Sequence, residues 1–315
     1  MTDWNGRLVG MVVTVLLVVG LAVLSGTWVQ AEDPRVPDVE HPIMKPAMFT
    51  DKGKCENCGM GLNMWARTRH SFRIADGEHH VCSLHCLADV SAKAGEKPQA
   101  VMAAVYLAPE KMVDAASASY VVGSTARGTM SMVSKIAFAS RDEAEAFSKE
   151  YGGEVQGFAA TLDKAMTTLP EERLTIAANR LKKGKIVEAT LQDACVTCGM
   201  KPAQFPKHSC QLITRDGQRL HFCSTSCLVR YLDNPADFGG AKEQVGDAWV
   251  TVYPEGGFDY ASGLYYLVGS SVMGSMGPEA LPFRLKAAAE ALAKEKGGQV
   301  VRFQDLTSLM IRNGK

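Results

Sequence analysis

Cys55-Glu-Asn-Cys58-Gly59-Met60 returns 140 residues later as Cys195-Val-Thr-Cys198-Gly199-Met200. Working outward from these two stretches, the rest of the chain falls into matching order. His80-Val-Cys82-Ser-Leu-His-Cys86 is repeated as His221-Phe-Cys223-Ser-Thr-Ser-Cys227. Val122-Gly123-Ser124 with Gly128-Thr129-Met130 is repeated as Val268-Gly269-Ser270 with Gly274-Ser275-Met276. Phe138, Gly152-Gly153 and Val155 return as Phe283, Gly297-Gly298 and Val300. A period this long is a duplicated domain rather than a solenoid repeat.

Local signals give each copy its elements. Asp76-Gly77 and Asp216-Gly217 are hairpin turns between short apolar runs. The flanking strands are predicted at 71–75 and 79–82, and at 211–214 and 219–222. Ser83 and Ser224 read as N-caps of a helix that follows. Strands are predicted next near 103–107 and 120–122, matched by 249–253 and 265–268. A second helix opens near Arg141 in copy one and spans 285–296 in copy two. Each stops at a Gly-Gly pair. Last strands are predicted at 154–158 and 299–303. The fold class is therefore α+β, two tandem β-β-α-β-β-α-β domains following an N-terminal hydrophobic helix. The boundaries are placed at 47–163 and 191–306, with a charged connecting helix inside 164–190. Each copy carries a full set of elements and is expected to fold alone.

Residues 8–24, LVGMVVTVLLVVGLAVL, carry no charge, and Arg7 precedes them. Residues 1–31 read either as a signal peptide cut near Val29-Gln30-Ala31 or as a membrane anchor. Both readings place the remainder in the periplasm or another extracytoplasmic space. No cysteine precedes Cys55, so this segment offers no thiol for lipid attachment. Lys and Arg together number 34, as do Asp and Glu, and no basic stripe interleaved with aromatics occurs; nucleic acid is not an expected partner.

Of nine cysteines and fifteen methionines, eight cysteines and four methionines are candidate metal ligands. Cys55, Cys58, Cys82 and Cys86 form one set, and Cys195, Cys198, Cys223 and Cys227 the other. Two closely spaced pairs separated by a hairpin are a thiolate metal-site layout. Met60 and Met200 follow a cysteine by two residues, and Met130 and Met276 sit in Gly-rich loops where there is little core to fill. Thiolate with thioether selects Cu(I). His80 and His221 stand at matched positions and are further candidate ligands or supports. The alternatives are a structural zinc site closed by four thiolates, and disulfides, two in each domain. Cys210 has no cysteine counterpart and reads as a packed strand residue. There is no Ser/His/Asp set, phosphate loop or H-E-x-x-H, so an enzyme is not expected.

The combination of Cys-x-x-Cys-Gly-Met, the Val-Gly-Ser…Gly-x-Met loop, a helix led by Phe138 or Phe283 and Gly-Gly-x-Val resembles the NosL family, copper-binding accessory proteins for nitrous oxide reductase. The His-x-Cys-Ser-x-x-Cys segment is also similar to TRASH- and YHS-type patterns. The NosL resemblance implies a small α+β fold like a domain of organomercurial lyase and a bound Cu(I). It assigns Cys58, Met60 and Met130 in copy one, and Cys198, Met200 and Met276 in copy two. It further implies a metallochaperone whose partners are a metal ion, a copper-accepting protein and, through the N-terminal segment, a membrane.

Overall fold

The computed structural model describes residues 53–314. The apolar segment at 8–24 lies outside them, and among the described residues no helix is long and apolar enough to cross a membrane.

Copy one begins with a hairpin, β1 (His70–Ile74) and β2 (Gly77–Val81), then α1 (Leu84–Ala94). Ile74 pairs with Gly77, so the turn is Ala75-Asp76, one residue earlier than the sequence suggests. Gly77 adopts φ +134°, which a side chain would resist. Four strands follow where two were predicted: β3 (Gln99–Val105), β4 (Ala108–Asp114), β5 (Ser119–Val122) and β6 (Lys135–Phe138). Then come α2 (Arg141–Tyr151), β7 (Glu154–Gly157) and α3 (Phe158–Lys182). Phe138 ends β6 instead of leading a helix, and Phe158 opens α3 instead of closing a strand.

Copy two repeats the plan as β8 (Cys210–Ile213), β9 (Arg219–Phe222), α4 (Thr225–Asp233), β10 (Asp247–Thr251), β11 (Phe258–Tyr260) and β12 (Tyr265–Val268). A two-residue pair, β13 (Met273–Gly274) and β14 (Gly277–Pro278), precedes β15 (Leu281–Phe283), α5 (Lys286–Lys296) and β16 (Gln299–Arg302). A short α6 (Ser308–Asn313) ends the described chain. The β-β-α-β-β-α-β string therefore undercounts both copies, while the mixed α+β class holds.

The same pairings recur in both halves. β4-β3-β1-β2 in copy one corresponds to β11-β10-β8-β9 in copy two, and β6-β5-β7 to β15-β12-β16. In copy one a parallel pairing of Val105 with Ala137 joins the two groups into a single seven-stranded sheet. Register also identifies the partner of Cys210. His70 pairs with Val81 and Cys210 pairs with Phe222, so Cys210 stands where copy one has His70. Both are buried. The His70 ring bonds to Tyr120 Oη (3.1 Å), and the Cys210 sulfur makes weak contacts that include Thr225 and the His208 carbonyl.

The two copies pack against each other. Lys93 of α1 is buried between Asp89 (3.1 Å) and Asp259 of copy two (3.8 Å) and donates to Asn57 Oδ1 (2.9 Å). Arg180 of α3 and Arg284 also reach Asp259. Burial works against ionised Asp89, but Lys93 and Arg173 outweigh it and hold the carboxyl near 2. Such a network makes breaking any one member costly, because the remainder stay buried and charged.

Candidate metal centre

Each Cys-x-x-Cys stretch folds into a tight knuckle. Cys55 N donates to Met60 O (2.8 Å) and Gly59 N to Cys55 O (2.9 Å), and in copy two Cys195 N donates to Met200 O (2.7 Å) and Gly199 N to Cys195 O (2.8 Å). Gly59 and Gly199 take φ of +75° and +77°, which explains a glycine after each second cysteine. The second pair of sulfurs arrives with the helix. Ser83 Oγ accepts from Cys86 N (3.3 Å) and Ser224 Oγ from Cys227 N (3.1 Å), capping α1 and α4 as the sequence suggests. One cysteine thereby ends the hairpin, and the other sits in the first helical turn.

The structure brings Cys55, Cys58, Cys82 and Cys86 together, and likewise Cys195, Cys198, Cys223 and Cys227, all sulfurs in a set lying within 4.8 Å of one another. Cys82 is 3.6 Å from both Cys58 and Cys86, and Cys223 is 3.5 Å from Cys198 and 3.6 Å from Cys227. These separations are far beyond a disulfide bond of ~2.05 Å, and all nine cysteines are free. A regular tetrahedron with a 3.6 Å edge has its centre about 2.2 Å from each vertex, close to the ~2.3 Å of a Zn–S bond. Each cage could thus hold one tetrahedral ion.

The thiols share protons unequally. In copy one burial opposes ionisation of Cys55, but bonds from Cys58, Cys82 and Cys86 prevail and hold it well below the usual thiol value. Cys58 and Cys82 are pushed up, first by their bond to Cys55. In copy two Cys195 is lowered by bonds from Cys223 and Cys227, while Cys223 is pushed up to about 12 and Cys227 higher still.

The methionines divide by copy. Met60 and Met130 are half-buried and line one cavity of about 350 Å³ with Cys58 and the exposed Met132. Met130 itself adopts φ +56°, a conformation that costs a side-chain-bearing residue energy. A Cβ on Gly128 would lie 2.2 Å from Ser131 O, so this loop can be built only around a glycine. In copy two Met200 and Cys198 both pack against the buried core, but Met276 is 43% exposed and lines a separate cavity with Cys227.

His80 and His221 are placed outside both sulfur groups. The His80 ring faces Glu78 at 3.6 Å. The repeated feature is their backbone: His80 O accepts from Glu56 N (3.2 Å) and His221 O from Val196 N (3.1 Å), tying each knuckle to its hairpin.

Sequence reasoning missed the groups that support the first cage. His79 is buried, with one ring nitrogen 2.8 Å from Glu56 and the other 2.8 Å from Asp76. Burial disfavours its charge, yet the Asp76 and Glu56 bonds raise it to about 9. Glu172 of α3 receives His85 (2.5 Å), Ser131 (2.5 Å) and Lys135 (3.5 Å). One carboxylate therefore ties the helix that carries Cys86 to the loop that carries Met130. The available signal was its place on the buried stripe Thr161, Ala165, Leu169 and Glu172 of α3.

Paired thiolate cages on a duplicated α+β frame define a tandem metal-binding protein. The NosL family model matches residues 46–166 and again 186–311, and the chain belongs to that family. The copper-binding lipoprotein NosL of Stutzerimonas stutzeri is 32% identical over 124 residues, covering 38% of this chain and 65% of that protein. The protein of the same description from Achromobacter cycloclastes is 35% identical over 86 residues, covering 27% and 40%. The chain thus spans 65% and 40% of the length of these relatives. The solved copper chaperone NosL from Shewanella denitrificans is 29% identical, with 39% of this chain and 95% of that one covered and a TM-score of 0.35.

Proposed function

We propose that this chain is an extracytoplasmic Cu(I)-binding accessory protein, a metallochaperone and not an enzyme. The observation that carries the reading is the position of Cys58, which belongs at once to a four-thiolate cage and to a cavity walled by Met60, Met130 and Met132. Soft thiolate and thioether donors on one cavity suit Cu(I). A thioether also needs no deprotonation and survives oxidising surroundings as a ligand. The name of its curated relatives, copper-binding lipoprotein, supports the same metal. We take the ligand set from the eight cage cysteines with Met60, Met130, Met200 and Met276. The binding units are 47–163 and 191–306, joined through 164–190. Residues 1–31 serve as signal or anchor, and the recipient is a copper enzyme such as nitrous oxide reductase or its assembly factors.

A second reading is favoured by one observation. The 3.5–3.6 Å sulfur separations suit a closed structural zinc site. Anaerobic titration of the chain with each metal separates the two. The copper reading expects about two Cu(I) bound per chain, more tightly than Zn(II). Met60→Leu and Met130→Leu conserve volume, should cost ~1.5 kcal/mol or less in stability, and should weaken Cu(I) while sparing Zn(II). Unchanged Cu(I) affinity in both variants would move zinc to first place.

A further inference from the structure

The two cages carry the same four cysteines but differ in what covers them. In copy one all four sulfurs belong to buried residues, Cys58 being 1% exposed. In copy two Cys198, the counterpart of Cys58, is partly exposed. The knuckle glycines show the cause. A Cβ on Gly59 would lie 2.6 and 2.7 Å from ring carbons of Tyr260, whereas a Cβ on Gly199 would meet nothing within 4 Å. Tyr260 is held in place: its hydroxyl donates to Asp247 (3.2 Å), and Lys54, next to Cys55, pairs with the same carboxylate at 2.7 Å. Beyond it, a Cβ on Gly263 would lie 2.9 Å from the carbonyl of Asn57, inside the first knuckle. The segment from Tyr260 to Gly263 therefore lies over the knuckle of copy one, and among the described residues nothing lies over Gly199 in the knuckle of copy two.

Metal passes between proteins by stepwise ligand replacement, which needs an incoming donor to approach a bound thiolate. We propose that the second cage, through Cys198, is the site of metal exchange, and that Tyr260 is the positioning residue that makes the first cage retentive. The assignment rests on reading both cages as Cu(I) sites. An incoming ligand reaches the first cage only past Tyr260 or past the side chains of Met60 and Met130. At the second cage Cys198 is itself partly exposed, and among the described residues no ring stands over its knuckle.

The chain loaded anaerobically with Cu(I) and mixed with excess bathocuproine disulfonate should release copper in two phases of similar amplitude, their rates differing by about tenfold or more, as expected when one site must open first. Cys198→Ser should abolish the fast phase. Tyr260→Ala should speed the slow phase and leave the fast one alone. A single phase, or a fast phase that survives Cys198→Ser and disappears in Cys58→Ser, would overturn the assignment. A measurement on the unmodified sequence needs no variant and no copper. Iodoacetamide labelling of the reduced, metal-free chain, followed by peptide mapping, should modify Cys198 well before Cys58; equal rates overturn the proposal. Failure to bind Cu(I) at all sinks the copper reading, while the labelling order still decides this one.

Discussion

Replacing each knuckle glycine by alanine measures the contact between the copies directly. Both positions share the left-handed backbone, at φ +75° and +77°, so each substitution carries the same conformational cost of roughly 1–2 kcal/mol. They differ in surroundings. The new methyl at 199 enters open space, and the one at 59 lands 2.6 Å from the Tyr260 ring, well inside van der Waals contact. Because Asp247 and Lys54 pin that ring, overpacking should add about 1–3 kcal/mol. Gly59→Ala should thus destabilise by about 2–5 kcal/mol and Gly199→Ala by about 1–2. Urea and thermal melts of the full chain provide the comparison. The excess at 59 should vanish in a Tyr260→Ala background, in which the methyl has room, and a double-mutant cycle reads that coupling. Equal losses at the two glycines, or an excess at 59 that persists without the tyrosine ring, would refute the reasoning.

The remaining predictions concern charge. His79 is raised to about 9 in the folded chain, so its contribution is complete below its unfolded value of ~6.5 and disappears as pH rises through 9. Discounted for the partly exposed Glu56 and Asp76, the loss should be about 1–2 kcal/mol, read as a falling urea midpoint between pH 7 and 10 that is absent in His79→Gln. Filling a cage must expel the protons held on Cys58 and Cys82, or on Cys223 and Cys227. Calorimetry in buffers of different ionisation enthalpy should therefore show protons released as each ion binds, with affinity rising with pH; a pH-independent affinity would contradict the shared-proton cage. Glu172→Ala leaves His85 and Lys135 buried without their carboxylate and should cost about 3 kcal/mol or more, whereas an exposed change such as Glu110→Ala should shift the melt by less than ~0.5 kcal/mol.

What was legible in the chain is what short-range chemistry encodes. The Asp-Gly turns, the serine caps and the glycine stops each act within a few residues, and the cysteine spacing follows from them. The missed strands lack such marks. β4 reads Ala-Pro-Glu-Lys-Met-Val-Asp and pairs with β3 alone; its proline and charges are tolerated because it lies at an edge. β15 carries Pro282 and pairs only with β12. β6 is four buried residues beginning with a lysine, whose amine is satisfied by Ser131 and Glu172 from elsewhere in the chain. The interface between copies was illegible for a related reason. Nothing local marks Tyr260 as the residue that meets Gly59, or Asp259 as the partner of Lys93. The matched histidines share a backbone role that their side chains do not reveal: His80 O and His221 O each accept from a knuckle amide.

The contact made by Tyr260 is head-to-tail: a surface of the second copy covers a different surface of the first. Contacts of that kind do not close on themselves, and repeated between molecules they generate filaments. Among the described residues, however, the outer positions do not repeat the pair that makes this contact. Register places Asp114 where copy two has Tyr260, because Met102 pairs with Asp114 as Trp249 pairs with Tyr260. Counting back from the first cysteine of each knuckle, Ala194 stands where copy one has Lys54. A neighbouring molecule approaching the open knuckle at Gly199 would offer a carboxylate in place of a ring and find no lysine to receive it. The residues that make the joint between the copies, Tyr260 and Lys54, are thus not repeated at the corresponding outer positions, where Asp114 and Ala194 stand.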